Sequence, residues 1–259
     1  MTSAKEIGKT IKRLPGQALR EERLNLFDRE IVDPLMIAFA GWVCLVLESL
    51  HVFGHIEPSV WIGVAFMLVT TLYAMKKYFR GRRKLRNYRR GEEGERIVAQ
   101  AIEESLLPRG YAVFHDIQLS NEGKRFNIDH LIVGENGIFA VETKYYQKPA
   151  TGKSEVTYDG KVILWNGASH KRDEIVQATR AAQSAKTLIE ELTGLAVSVR
   201  PVLCAVGWFV KSTALYGNPV LLVMEKTIGT VIPKVDATSL ISETDRKMII
   251  AALKRSVNQ

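Results

Sequence analysis

The sequence predicts an α/β fold set behind an N-terminal pair of membrane-crossing helices, and three observations predict it. Two long apolar runs, PLMIAFAGWVCLVLESLHVFGH from Pro34 and SVWIGVAFMLVTTLYAM from Ser59, lie in a stretch from Ile31 to Met75 that contains no Lys or Arg. After residue 90 the apolar periodicity changes repeatedly between the spacing of helices and that of strands. The segment RFNIDHLIVGENGIFAVETKYY, Arg125 to Tyr146, alternates, breaks at GENG and alternates again, as a hairpin does.

Each apolar run is near the roughly 20 residues that cross a bilayer core of about 30 Å. Neither has the polar face of a helix packed on a soluble core. Glu48 and His51 fall near the end of the first run, where side chains reach the interface. The flanks set the orientation. Residues 1–30 carry seven Lys/Arg, the connecting VFGHIEPS carries none, and Lys76–Arg90 carries nine with no acid. The positive-inside bias then places both termini in the cytoplasm. Four segments are expected: a cytosolic N-terminal segment 1–30, a transmembrane helical hairpin 31–75, a basic juxtamembrane linker 76–90 and a cytosolic domain 91–259.

The net charge of +8 is not spread over the chain. Residues 91–259 hold 20 basic and 20 acidic side chains, so the excess sits beside the expected membrane, where it suits anionic lipid headgroups. Total charge is therefore no argument for nucleic acid. The two cysteines, Cys44 and Cys204, have no metal-ligand spacing and exclude a disulfide framework.

Beyond residue 90 the expected order is a helix over Gly91–Leu106, strands over Tyr111–Leu119, Phe126–Val133 and Ile138–Tyr146, and a small hairpin VTYDGKVILW. A helix over 173–193 ends before Gly194. VRPVLCAVGWFV and PVLLVM follow as strands, and SETDRKMIIAALKRSV closes as a helix capped by Ser242. In the first helix Glu95 lies three residues before Val98, on the face that turns inward.

The hairpin carries charge within its strands: Asp129 in one, Glu142 and Lys144 in the other. If GENG is the whole loop, Val133 faces Ile138 and Asp129 lies opposite Glu142. If Asn136-Gly137 forms the turn, Asp129 pairs with Lys144. Both registers put Asn127, Asp129, Glu142 and Lys144 on one face and leave Phe126, Ile128, His130, Ile132, Phe139, Val141 and Thr143 on the other. Opposed carboxylates repel. A divalent cation with oxygen ligands, Mg²⁺ or Mn²⁺, would neutralise them, and a salt bridge on a solvated strand is the alternative.

Asp129 followed after twelve residues by Glu142-Thr143-Lys144 resembles the D…(D/E)XK signature of the PD-(D/E)XK nuclease superfamily. GEEGE at the helix start, the run NIDHLIVGENGIFAVETKYY and the downstream Gln177 resemble more closely the nuclease-related domain (NERD) family, over about residues 91–193. The resemblance implies a restriction-endonuclease-like domain with a mixed central sheet flanked by helices. It implies Glu95, Asp129 and Glu142 as metal ligands, Asp129, Glu142, Lys144 and Gln177 as the catalytic set, and nucleic acid, DNA expected, as the partner. Two positions depart from the pattern: Ile128 stands where a proline would precede the aspartate, and Glu174-Ile175 stands near where Asn-Pro would precede the glutamine. The expected function is metal-dependent hydrolysis of phosphodiester bonds, with a membrane-tethered, non-catalytic binding or scaffold module as the alternative. His130 is expected in the core, His115 has no partner at a telling spacing, and His170 with Lys171 and Arg172 forms a loop that could approach a phosphate.

Overall fold

The computed structural model describes residues 13–53, 60–121, 124–169, 173–212, 218–235 and 241–257. The chain divides into a first unit, Leu19–Arg90, and a second, Gly91–Gln259, that also takes in the segment ending at Ala18.

The first unit is helical. Helix α1 (Gln17–Phe27) leads through one π-turn, Asp28–Val32, into α2 (Asp33–Phe53), and α3 (Val60–Leu106) runs through the unit to Arg90. Gln17–Leu47 is the one span, among the described residues, long and apolar enough to cross a membrane by length and composition. Leu35, Met36, Phe39 and Trp42 of α2 and Trp61, Ile62 and Leu72 of α3 are exposed. Gly41 allows α2 and α3 to approach: a Cβ there would run into Thr70 Oγ1 and lie 3.3 Å from Met67 Cα. The expected loop between the apolar runs, 54–59, lies outside the described residues. The basic stretch 76–90 is helical, part of α3. It encloses one acid: Glu30, 6% exposed, has Lys77 Nζ at 3.5 Å and Lys84 Nζ and Arg29 Nε at 3.9 Å.

The second unit is a mixed α/β fold. After the last part of α3 come β1 (Ala112–Asn121), β2 (Lys124–Gly134), β3 (Gly137–Lys144), β4 (Glu155–Tyr158) and β5 (Ile163–Trp165). Then follow α4 (Glu174–Thr193), β6 (Val199–Ala205), β7 (Phe209–Ser212), β8 (Leu221–Val223), α5 (Ile228–Val231) and α6 (Glu243–Val257). The main sheet has the order β1-β2-β3-β6-β8, antiparallel through β3 and parallel from β3 to β8. A second sheet, β5-β4-β7, contains the expected small hairpin.

Apolar burial fixes the layers. Val98, Ile102 and Leu106 of α3 pack with Ile132, Phe139, Val141, Val202 and Cys204. On the other side Leu131, Val133, Ile138 and Ala140 meet Ala181, Ala185 and Leu188 of α4 and Ile249 and Leu253 of α6. Each buried Leu or Ile contributes about 2 kcal/mol, and the alanines let α4 lie close to the strands. Asp173 caps α4 by accepting the Val176 N–H at 3.1 Å, and Gly194 (φ 73°) ends it, as the sequence predicts. Ser242 Oγ likewise accepts the Asp245 N–H at 3.0 Å at the start of α6.

Two expectations need correction. VRPVLCAVGWFV is not one strand: it turns at Val206-Gly207, and its two halves, β6 and β7, lie in different sheets. The strict alternation of β2 also fails. Ile132 packs on the α3 side, yet Ile128 packs with Leu131 on the α4 side, so the two-residue period breaks between Ile128 and Leu131. Asp129 stands in that break.

Candidate active site

The GENG register is resolved by the pairing of Val133 with Ile138 and Gly134 with Gly137. It is the register that sets position 129 against 142. The rungs between β2 and β3 stop at His130–Val141, after which β3 continues only with β6, through Glu142–Leu203, Thr143–Cys204 and Lys144–Ala205. Where the strands part, the Thr143 N–H donates instead to Asp129 Oδ2, at 2.8 Å. The carboxylate takes the place of a strand carbonyl.

Glu95, Asp129, Glu142 and Lys144 come together at this point. Asp129 is 7% exposed and Glu95 is 4% exposed. Lys144 Nζ donates to Glu142 Oε1. Burial pushes the Glu95 carboxyl up to about 8, with the charges of Asp116 and Glu142 adding to the rise and a hydrogen bond from the Gly16 N–H opposing it. Burial also holds the Asp129 carboxyl well above the usual carboxylate range, reinforced by Glu142 and Glu95 and opposed by Lys144. Lys144 is the one cation opposing both rises, so without a bound cation the low-dielectric site favours the protonated forms of Glu95 and Asp129. Glu95 Oε2 is buried without a hydrogen-bond partner. Among the described residues no group of three or more Asp, Glu, His or Cys side chains is placed to hold a metal ion.

Gln177 sits in the first turn of α4, half-buried; among the described residues its amide makes no hydrogen bond to Asp129, Glu142 or Lys144. The site is joined instead by an acid that the sequence pattern does not single out. Asp116, in β1, is fully buried beside Glu95 with φ +48°. It falls between the rungs His115–His130 and Ile117–Ile128, where the β1–β2 ladder skips a pair. Its signal was available: an acid inside the apolar run YAVFHDIQL, the same kind of anomaly that marks Asp129. Away from that group, Glu174 at the start of α4, 4% exposed, accepts the Tyr146 hydroxyl at 2.7 Å.

His130 is fully buried, as expected of a core residue. His115 does have partners. Its Nε2 lies 2.9 Å from Glu103 Oε1 and its Nδ1 2.8 Å from His130 Nδ1, and His130 Nε2 lies 3.3 Å from Thr143 Oγ1. Burial lowers the pKa of both imidazoles, for His130 with the added charge of His115. One ring nitrogen of the facing pair must then donate to the other. His170, Lys171 and Arg172 lie outside the described residues.

Glu95 of α3, Asp129 where two strands part and the Glu142-Thr143-Lys144 strand end are the positions that the resemblance implies. Compared with known families, residues 90–206 match the nuclease-related domain. The chain carries a nuclease-related domain. The match covers a little under half of the sequence, contains all five expected site residues, and has the PD-(D/E)XK superfamily as its general context. An uncharacterized protein of Bacillus anthracis is 37% identical over 59 residues, which cover 22% of this chain and 27% of that relative. No solved structure matches the chain.

Proposed function

We propose that this protein is a membrane-anchored, metal-dependent nuclease that hydrolyses phosphodiester bonds in nucleic acid, DNA being the expected substrate. The observation that carries the reading is the frustrated acid cluster of the nuclease-related domain: Glu95 and Asp129 buried against Glu142, with one glutamate oxygen unpartnered and one lysine as counter-charge. The donor set fits Mg²⁺ or Mn²⁺, because hard oxygen ligands suit those ions and a divalent charge removes the repulsion. Glu95, Asp129 and Glu142 would hold the ion. When bound, such an ion supplies Lewis-acid charge and makes water a stronger nucleophile at neutral pH.

The chain's own groups do the rest. Asp129, anchored by the Thr143 N–H, fixes one side of the cluster. Lys144 is held on Glu142, and it is released once that carboxylate has another counter-charge; a phosphoryl oxygen is then its natural partner. Gln177, nearby in sequence to the capped start of α4, has the weaker claim to a role. The balanced charge of residues 91–259 favours a second reading, a non-catalytic module that keeps the nuclease-related scaffold.

We place the domain in the cytosol, tethered by two transmembrane helices at 31–75, with both termini cytoplasmic and the basic run at 76–90 on anionic lipid. The apolar span Gln17–Leu47 and the exposed apolar side chains of α2 and α3 support the anchor. A reporter fused to either terminus is expected to be active on the cytoplasmic side only.

The test of catalysis uses the full-length protein in detergent with single- and double-stranded DNA and RNA, supplied with Mg²⁺ or Mn²⁺. Cleavage is expected with cation, and Asp129→Asn should lower it by about 10²-fold or more. A folded wild-type protein that leaves every substrate intact with both cations would move the choice to the scaffold reading.

A further inference from the structure

The segment just before α1 has no part in the nuclease-related match, yet it reaches into the site. Arg13 Nε lies 2.9 Å from Asp116 Oδ2, with the two side chains 12% and 0% exposed. The Ala18 N–H donates to the same oxygen at 2.8 Å, and Asn127 Nδ2 donates to Oδ1 at 3.1 Å. Both oxygens of Asp116 are thus engaged by fixed donors. It is a clasp rather than a spare ligand.

Between the two clasped residues lies Gly16. Its N–H donates to the Glu95 carboxylate, whose Oε2 is buried without a hydrogen-bond partner among the described residues. Gly16 has φ +74°, and a Cβ on it would lie 3.1 Å from Glu92 Cγ and carbonyl oxygen and 3.2 Å from its Cα. Glycine is therefore required both for the conformation and for the approach to α3. Apolar burial does not explain the docking, since Leu14 is 67% exposed. What holds the segment is polar, and what it delivers is a donor to one oxygen of Glu95. The other oxygen is left among the acids.

We propose that Arg13–Ala18 is a positioning strap for Glu95, and that the acidic site is complete only while the strap is clasped to Asp116. The inference rests on the reading of Glu95 as a cation ligand. Groups that orient a ligating side chain from behind commonly change metal affinity by about 10- to 100-fold. That range sets the expected effect.

The test uses the full-length protein in detergent, with Mn²⁺ as the probe and amide hydrogen exchange as a second readout. Arg13→Ala should lower Mn²⁺ affinity by about tenfold and remove exchange protection at Gly16 and Ala18, and Arg13→Lys should restore part of both. Asp129→Asn, the control, should abolish Mn²⁺ binding while leaving the strap amides protected. If wild type fails to bind Mn²⁺, or Asp129→Asn binds it equally well, the nuclease reading fails and the strap inference falls with it. If Asp129→Asn loses the ion but Arg13→Ala, with its strap amides exposed, binds Mn²⁺ as wild type does, the strap is packing alone and only this inference is overturned. Unprotected Gly16 and Ala18 amides in wild type overturn it as well. Should Arg13→Ala unfold, Arg13→Lys decides: wild-type Mn²⁺ affinity with lost amide protection overturns the inference, and a joint partial loss supports it.

Discussion

Glu30 and Glu95 are two glutamates buried to nearly the same degree, 6% and 4% exposed, in opposite electrostatic company. Glu30 has three cationic side chains within 3.9 Å. Glu95 faces the like charges of Asp116 and Glu142, which outweigh the opposing Lys144 and one N–H donor, and has an oxygen with no partner. Burial alone costs both carboxylates their hydration. At Glu30 the neighbours offset that cost, and the residue reads as part of the packing between helices. At Glu95 the neighbours add to it, and a fold that tolerates such a conflict generally does so where a ligand resolves it. Partner set, rather than depth, separates the two glutamates.

The comparison can be broken most severely at Lys144. Its removal should leave cation binding intact or improved, because Glu142 is freed, while cleavage falls by about 10²- to 10³-fold, as is usual on loss of one transition-state donor. Cleavage that survives Lys144→Ala would detach the lysine from the chemistry.

Next in size is the response to cation. An ion that binds only the folded protein adds about 2.7 kcal/mol at 100 times its dissociation constant, read as a higher Tm. Glu95→Gln should reduce that gain, and Glu30→Gln should not. Equal behaviour of the two variants would erase the distinction drawn above.

A pH series sharpens it further. The folded-state pKa of Glu95, about 8, lies above its unfolded value of 4.5, so between those limits the native state holds a proton that the unfolded chain has released. Stability of the metal-free protein should therefore fall as pH rises through that window, with Asp129 acting in the same direction. Melting curves at about pH 5 and about pH 8 should show the higher Tm at the acid end, and Glu95→Gln should flatten the trend. The smallest effect is expected from Glu30→Gln itself, whose cationic partners are 28–68% exposed: about 1 kcal/mol of stability or less.

Much of this site is legible in the sequence because its logic is local. The spacing Asp129–Glu142 follows from one hairpin turn, and the inward phase of Glu95 follows from the helical period. What stayed hidden depends on long-range or irregular geometry. Asp116 looks like a residue of an ordinary strand until its φ of +48° interrupts the ladder, and its partner Arg13 is 103 residues away. His115 meets His130 only because β1 and β2 pair in the register that aligns them. The division of VRPVLCAVGWFV between two sheets was missed for a similar reason: its apolar content suits a strand throughout, and the two-residue turn at Val206-Gly207 has no strong composition signal.

The parting of β2 and β3 has a consequence for folding fidelity. The last rung of that hairpin is made by the Asp129 carboxylate accepting the Thr143 N–H. A chain threaded through the alternative Asn136-Gly137 turn would be displaced by two residues, would set Asp129 against Lys144 and would lose that rung. Such a molecule could still bury much of its apolar surface, yet it would have no assembled acid cluster. The Asp129 oxygen thus records the threading of the hairpin, since the observed register is the one that leaves it the Thr143 N–H.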